Sequence, residues 1–189
     1  MIEVNWNNFK AKFNGKEQKT FEWLSYLLFC REFNQPNGIF RYFNQSGIET
    51  DPVFVNNEWI SFQAKFFDTT VSKSQIIESI GKAKSKNPKL NKIYIYLNRT
   101  FSESSKKGKK KPQLQIDVEN YGKTNGIKID WRVESHFEQQ LSNDKNLVQL
   151  FFTLEQSFID FLTELKNHTN SILKPIRSEI KLAIIYLTQ

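Results

Sequence analysis

Apolar residues recur along the chain in two rhythms. Within residues 17–33, Phe21, Leu24, Leu27 and Leu28 return at helical spacing and predict a helix with one apolar face. Gln35-Pro36-Asn37-Gly38 stops it. Residues 52–55 and 59–65 read as strands, and Asn56-Asn57 between them is turn chemistry, so the pair predicts a hairpin. In its second arm Ile60, Phe62 and Ala64 alternate with Ser61, Gln63 and Lys65, and the two sets leave opposite faces. Residues 72–86 predict a second helix, with Ser72 and Gln75 at capping-box spacing and Ile76, Ile77 and Ile80 as its buried stripe. Residues 93–97 are a short apolar run rich in β-branched and aromatic side chains, a buried strand.

Further on, residues 114–121 are read as a helix ended by Gly122, and residues 127–131 as another strand. Residues 146–168 are read as one long helix, with Leu147, Leu150, Leu154, Phe158, Phe161 and Leu165 on a single stripe. Residues 39–46 are expected to be irregular, and residues 102–112 to form a polar loop carrying Lys106, Lys107, Lys109, Lys110 and Lys111. The order is helix, hairpin, helix, strand, helix or loop, strand, helix. Strands joined through helices predict an α/β fold, a central mixed sheet flanked by helices. Residues 1–170 are expected to form one domain. Residues 171–189 end in an apolar run and are expected to be a linker or the start of a following domain.

Composition narrows the function. The 189 residues are 39% hydrophobic with 17 Phe, enough for a core and too apolar for a disordered chain. The net charge of +7 favours polyanionic partners, nucleic acid before an anionic membrane. One cysteine, Cys30, leaves no disulfide within the chain and no zinc cluster, and its place in an apolar run predicts core packing. His136 and His168 show no catalytic or ligand pattern. Residues 1–10 lack the basic-then-apolar form of a secretory leader, and no apolar run approaches a membrane span. A cytoplasmic protein without membrane attachment is therefore expected.

Candidate chemistry gathers around the hairpin. Asp51 opens the first strand, and Gln63 and Lys65 leave one face of the second. Phosphodiester hydrolysis needs such an inventory: hard oxygen ligands for a divalent cation, and an ammonium group that steadies charge developing on phosphate. The segment GIETDPVFVNNEWISFQAKFF resembles the core of PD-(D/E)XK nucleases in the D-QXK variant typical of Mrr-like restriction enzymes. The resemblance covers about residues 17–97, with Trp131 on a later strand as a further match. It implies a restriction-endonuclease-like core and a Mg²⁺-dependent endonuclease of double-stranded DNA, with Mn²⁺ able to substitute. Asp51, Gln63 and Lys65 would occupy the motif, with a further metal-binding acid at Glu22 on the preceding helix. Gln63 departs from the acidic residue common in the family and brings no charge. Glu49, two residues before Asp51, is a rival acid.

The arrangement also resembles the N-terminal effector nuclease of multidomain STAND NTPases of bacterial anti-phage defence, which implies a C-terminal ATPase or sensor module as partner. Two other readings stay open. One is a nuclease-fold module that binds nucleic acid without turnover, which neutral Gln63 keeps alive. The other is an assembly domain that forms a homo-oligomer through the helix at 147–165. RNA as substrate stays open too.

Overall fold

A computed structural model describes residues 4–39, 47–101, 111–154, 167–169 and 174. Residues 40–46 of the irregular stretch expected at 39–46, most of the lysine loop and most of residues 155–189 lie outside the described residues. The chain divides into two units, Met1–Phe152 and Thr153–Gln189. The boundary expected at 170 falls within the second.

In the first unit, α1 (Trp6–Lys12) and α2 (Glu17–Glu32) precede the hairpin of β1 (Val53–Val55) and β2 (Glu58–Lys65). Then follow α3 (Lys73–Lys86), β3 (Lys92–Leu97), α4 (Gln113–Thr124), β4 (Lys128–Arg132), α5 (Glu134–Leu141) and α6 (Lys145–Phe152). The strands lie in the order β1-β2-β3-β4. β1 runs antiparallel to β2, while β2, β3 and β4 are parallel, so the sheet is mixed. Asn56 and Asn57 both take positive φ, the geometry of a tight hairpin turn that twists with the strands.

The alternation in β2 sorts the core into two layers. Ile60, Phe62 and Ala64 join Tyr94 and Tyr96 under α1, α2, α5 and α6. This layer is aromatic, and Trp6 meets Phe9, Phe21, Phe66, Phe137 and Phe152 edge-on within it. The other face carries Ile93, Ile95 and Leu97 against Ile76, Ile80 and Ala83 of α3 and Val118 of α4. Cys30 is buried. Among the described residues no helix is long and apolar enough to cross a membrane.

Four sequence expectations change. The short helices α1 and α5 were not expected. α1 is capped by Asn5, whose Oδ1 accepts from Asn7 and Asn8. α5 shows only Phe137 and Leu141 as buried positions. Gly122 does not end α4, which runs on to Thr124. A Cβ there would come within 2.7 Å of Ile129, so Gly122 lets the helix lie close to β4. The helix expected at 146–168 stops at Phe152. Leu147, Val148, Phe151 and Phe152 form its buried side, which turns Leu150 outward to 53% exposure.

Candidate active site

The chemistry rests on how β2 ends. Gln63 and Lys65 lie on the α3 face, between residues that pack towards α2. Gln63 is 1% exposed, so it is not a solvent-facing strand residue. Its Nε2 donates to Gly47 O at 3.3 Å, and only this orientation of the amide satisfies that carbonyl. Gln63 Oε1 is then buried with no hydrogen-bond partner. A buried acceptor left unmade is costly, and Trp6 Nε1, Ser25 Oγ, Asn91 Oδ1 and His136 Nε2 are buried without a partner as well.

The preceding segment brings the carboxylates. Gly47 packs on α3 with φ +84, where a Cβ would stand 2.2 Å from Ser79 O, so glycine alone fits. Glu49 N donates to Phe62 O at 2.9 Å, whereas the ladder proper starts at Val53↔Ile60. Between these contacts the chain advances from Glu49 to Val53 while β2 retreats only from Phe62 to Ile60. The surplus is taken up at Thr50, Asp51 and Pro52, a bulge of the sort that re-aims side chains at sheet margins. Asp51 sits half-buried in it. Ser61 Oγ ties the bulge down by donating to Thr50 O at 3.0 Å. Glu49 Oε1 accepts from Ala64 N at 3.4 Å, between Gln63 and Lys65. The Glu49 carboxylate thus touches β2 at the residue between Gln63 and Lys65.

Glu22 reaches the same strand end from the opposite layer. Gln18 on α2 donates to Glu22 Oε1 and to Ala64 O, both at 2.9 Å, and accepts from Phe66 N at 2.8 Å. Beyond Lys65, the Asn98 side chain both accepts from Phe67 N and donates to Phe67 O. Lys65 is thus held between two amide clamps that sequence reading missed, because neither Gln18 nor Asn98 belongs to a local pattern. Its charge reaches Glu78 on α3. The Glu78 carboxyl is held below the usual range by its hydrogen bond and charge contact with Lys82, and further by Lys65.

The lysines at the end of α3 differ in role. Lys82 pairs with Glu78, and Lys84 Nζ donates to Pro88 O and Leu90 O, closing the helix end. Lys86 and Lys89 are exposed. On the far side, Lys111 pairs with Glu119, which also accepts from Trp131 Nε1. Trp131 is half-buried against the aliphatic core.

A second polar cluster, also unforeseen, lies in the aromatic layer. Glu32 of α2 accepts from Arg132 Nε and Nη2 and from Tyr96 Oη, with His136 Nε2 at 3.5 Å. Arg132 Nη1 also donates to Asp130, and its guanidinium stacks 4.6 Å over Tyr94. Burial pushes the His136 imidazole down to about 4, the nearby Glu32 charge opposing this and Arg132 adding to it. Burial likewise raises the Tyr96 phenol well above its usual range, helped by Glu32. Apart from His136 Nε2, which is buried without a hydrogen bond, these groups are matched to one another, so the cluster binds α2, β4 and α5 together.

Among the described residues no three His, Cys, Asp or Glu side chains come together as a metal-binding group. The donors present fit a magnesium-like ion, which takes one or two carboxylates and completes its shell from water and substrate phosphate. Gln63 Oε1 is the observation that fits: a buried oxygen with no partner of its own, one residue from the Ala64 N–H that the Glu49 carboxylate accepts. No protein-family model matches the sequence, and no curated protein matches it significantly.

Proposed function

We propose that the chain is a metal-dependent endonuclease of double-stranded DNA built on the PD-(D/E)XK plan. The reading is carried by the unpartnered Gln63 Oε1, two residues before Lys65 on one strand face, with the Glu49 carboxylate bonded to Ala64 N between them. Glu49, Asp51 and Gln63 would hold Mg²⁺ or Mn²⁺, with Glu22 as a further acid. Bound there, the ion would neutralise phosphate charge and make water a better nucleophile.

The chain's own groups do the rest. Lys65 donates its ammonium hydrogens to the phosphate and stabilises the charge that develops as the bond breaks. Gln18 and Asn98 keep its strand end from shifting, and a small misplacement at a reacting centre is costly in rate. The surplus of positive charge draws DNA to the surface. The proposal extends to a role as the effector part of a larger anti-phage NTPase, on the sequence resemblance alone.

With plasmid DNA and Mg²⁺ the protein is expected to nick and linearise, and Lys65→Ala to lower the rate about 100-fold or more. Equal cutting by Lys65→Ala and the native protein rejects the assignment. Glu22→Ala, Glu49→Ala and Asp51→Ala, assayed together, rank the acids. The small number of gathered carboxylates favours one second reading, a nuclease-fold module that holds DNA without turnover. Salt-sensitive binding with no cleavage under Mg²⁺ or Mn²⁺ selects it.

A further inference from the structure

The hairpin tip carries an aromatic surface that the proposed reaction does not use. Phe54 is 58% exposed, one of three large apolar side chains so exposed among the described residues. It faces Trp59 directly across the β1–β2 ladder, with ring centroids 5.3 Å apart. Lys89, in the turn after α3, lies 5.6 Å over the Trp59 ring. In the alternation of β2, Trp59 shares its face with Ser61, Gln63 and Lys65. The platform lies six residues from Lys65, about 20 Å along the strand.

The same rim continues across the sheet. Asn91 N donates to Trp59 O, and Lys128 N to Asn91 O. Next to Asn91 opens a cleft of about 520 Å³ whose lining includes Lys123, Lys128 and Gly126. An exposed Phe54 on a half-buried Trp59, a cation poised on the Trp59 ring and a lysine-bearing cleft alongside are the parts of a single-strand platform. Every base has a face that stacks on such rings, while flanking ammonium groups meet the backbone. A blunt duplex offers a free base face only at its two terminal pairs, so the platform gains little from it.

We infer that Phe54, Trp59 and Lys89 form a stacking site for unpaired nucleobases of DNA. The inference deepens the nuclease reading by naming the substrate as duplex with a single-stranded segment on one side of the cut. The spacing places that segment about six nucleotides from the scissile bond, taking the rise of one duplex strand.

The test uses the full chain in EDTA, so that binding is read without cleavage. Fluorescence anisotropy follows a thymidine oligonucleotide of about a dozen residues and a blunt duplex of equal length. Phe54→Ala and Trp59→Ala are each expected to weaken single-strand binding roughly 5- to 100-fold, and duplex binding by less than about twofold. Trp59→Phe keeps most of the affinity.

If Phe54→Ala binds the oligonucleotide as well as the native protein, the platform is overturned. Phe54 is exposed enough that its loss leaves the fold intact, should Trp59→Ala fail to fold. Binding of duplex alone, or an oligomer that Phe54→Ala dissociates in sedimentation, also overturns it, the latter by making the patch a contact between copies. Platform-dependent binding without any DNA cleavage under Mg²⁺ keeps this inference and removes the nuclease reading. Cleavage with unchanged Phe54→Ala affinity does the reverse.

Discussion

At Gln63 the chain buries an amide whose nitrogen is used and whose oxygen is not. Gln63→Glu would bury a carboxylate one residue from the backbone N–H that holds half-buried Glu49. In EDTA its melting temperature is expected to fall, by an amount matching about 1–3 kcal/mol, and to recover as Mn²⁺ is added. Melts that ignore Mn²⁺ would remove the cation from this position. His136 gives a second residue-level expectation. Its folded pKa, about 4, lies below the unfolded value of 6.5. As pH falls below about 6.5 the unfolded chain takes up a proton that the folded chain refuses, so stability is lost between pH 6.5 and pH 4. Urea titrations at pH 7 and pH 4.5 should differ by roughly 2–3 kcal/mol more in the native protein than in His136→Gln. Residues of these two kinds were unequally legible. Gln63 and Lys65 could be read because alternation in a strand encodes their face. The choice between Glu49 and Asp51 could not, because a bulge has no periodicity. Glu32 and Arg132 stand 100 positions apart, and no local pattern announces such a pair.

Elements with strong internal signals were readable from sequence: the Asn-Asn hairpin, the long α2, the Ser72-capped α3 and the fully buried β3. Those that depend on their neighbours were not. α5 has only two buried side chains, and α6 ends where its phenylalanines enter the aromatic layer, although the apolar pattern runs on. Ends of elements follow the same rule. The pairing of β2 with β3 stops at Lys65↔Leu97, yet Asn98 extends it by satisfying both backbone groups of Phe67. Asn98→Ala is expected to destabilise the fold by about 1–3 kcal/mol, because it strands a buried N–H. It should also lower DNA cleavage more than global unfolding accounts for, measured well below the melting temperature. Full activity in a destabilised Asn98→Ala protein would separate this clamp from the positioning of Lys65.

For the molecule as a whole, the chain divides after Phe152. Phe151 and Phe152 are buried in the aromatic layer, so a fragment ending at Phe152 should melt cooperatively. One ending at Leu150 should lose most of its stability, at about 3–5 kcal/mol for each phenylalanine removed. Near-ultraviolet circular dichroism of both fragments checks this, and equal spectra would mean the boundary is misplaced. The four tryptophans also fall in four different environments. Trp6 sits in the aromatic layer, Trp131 against the aliphatic one, Trp59 at the hairpin tip and Trp23 on the exposed side of α2. Keeping one indole at a time would therefore turn intrinsic emission into four separate optical reporters, able to tell whether the two layers of the core melt together or in succession.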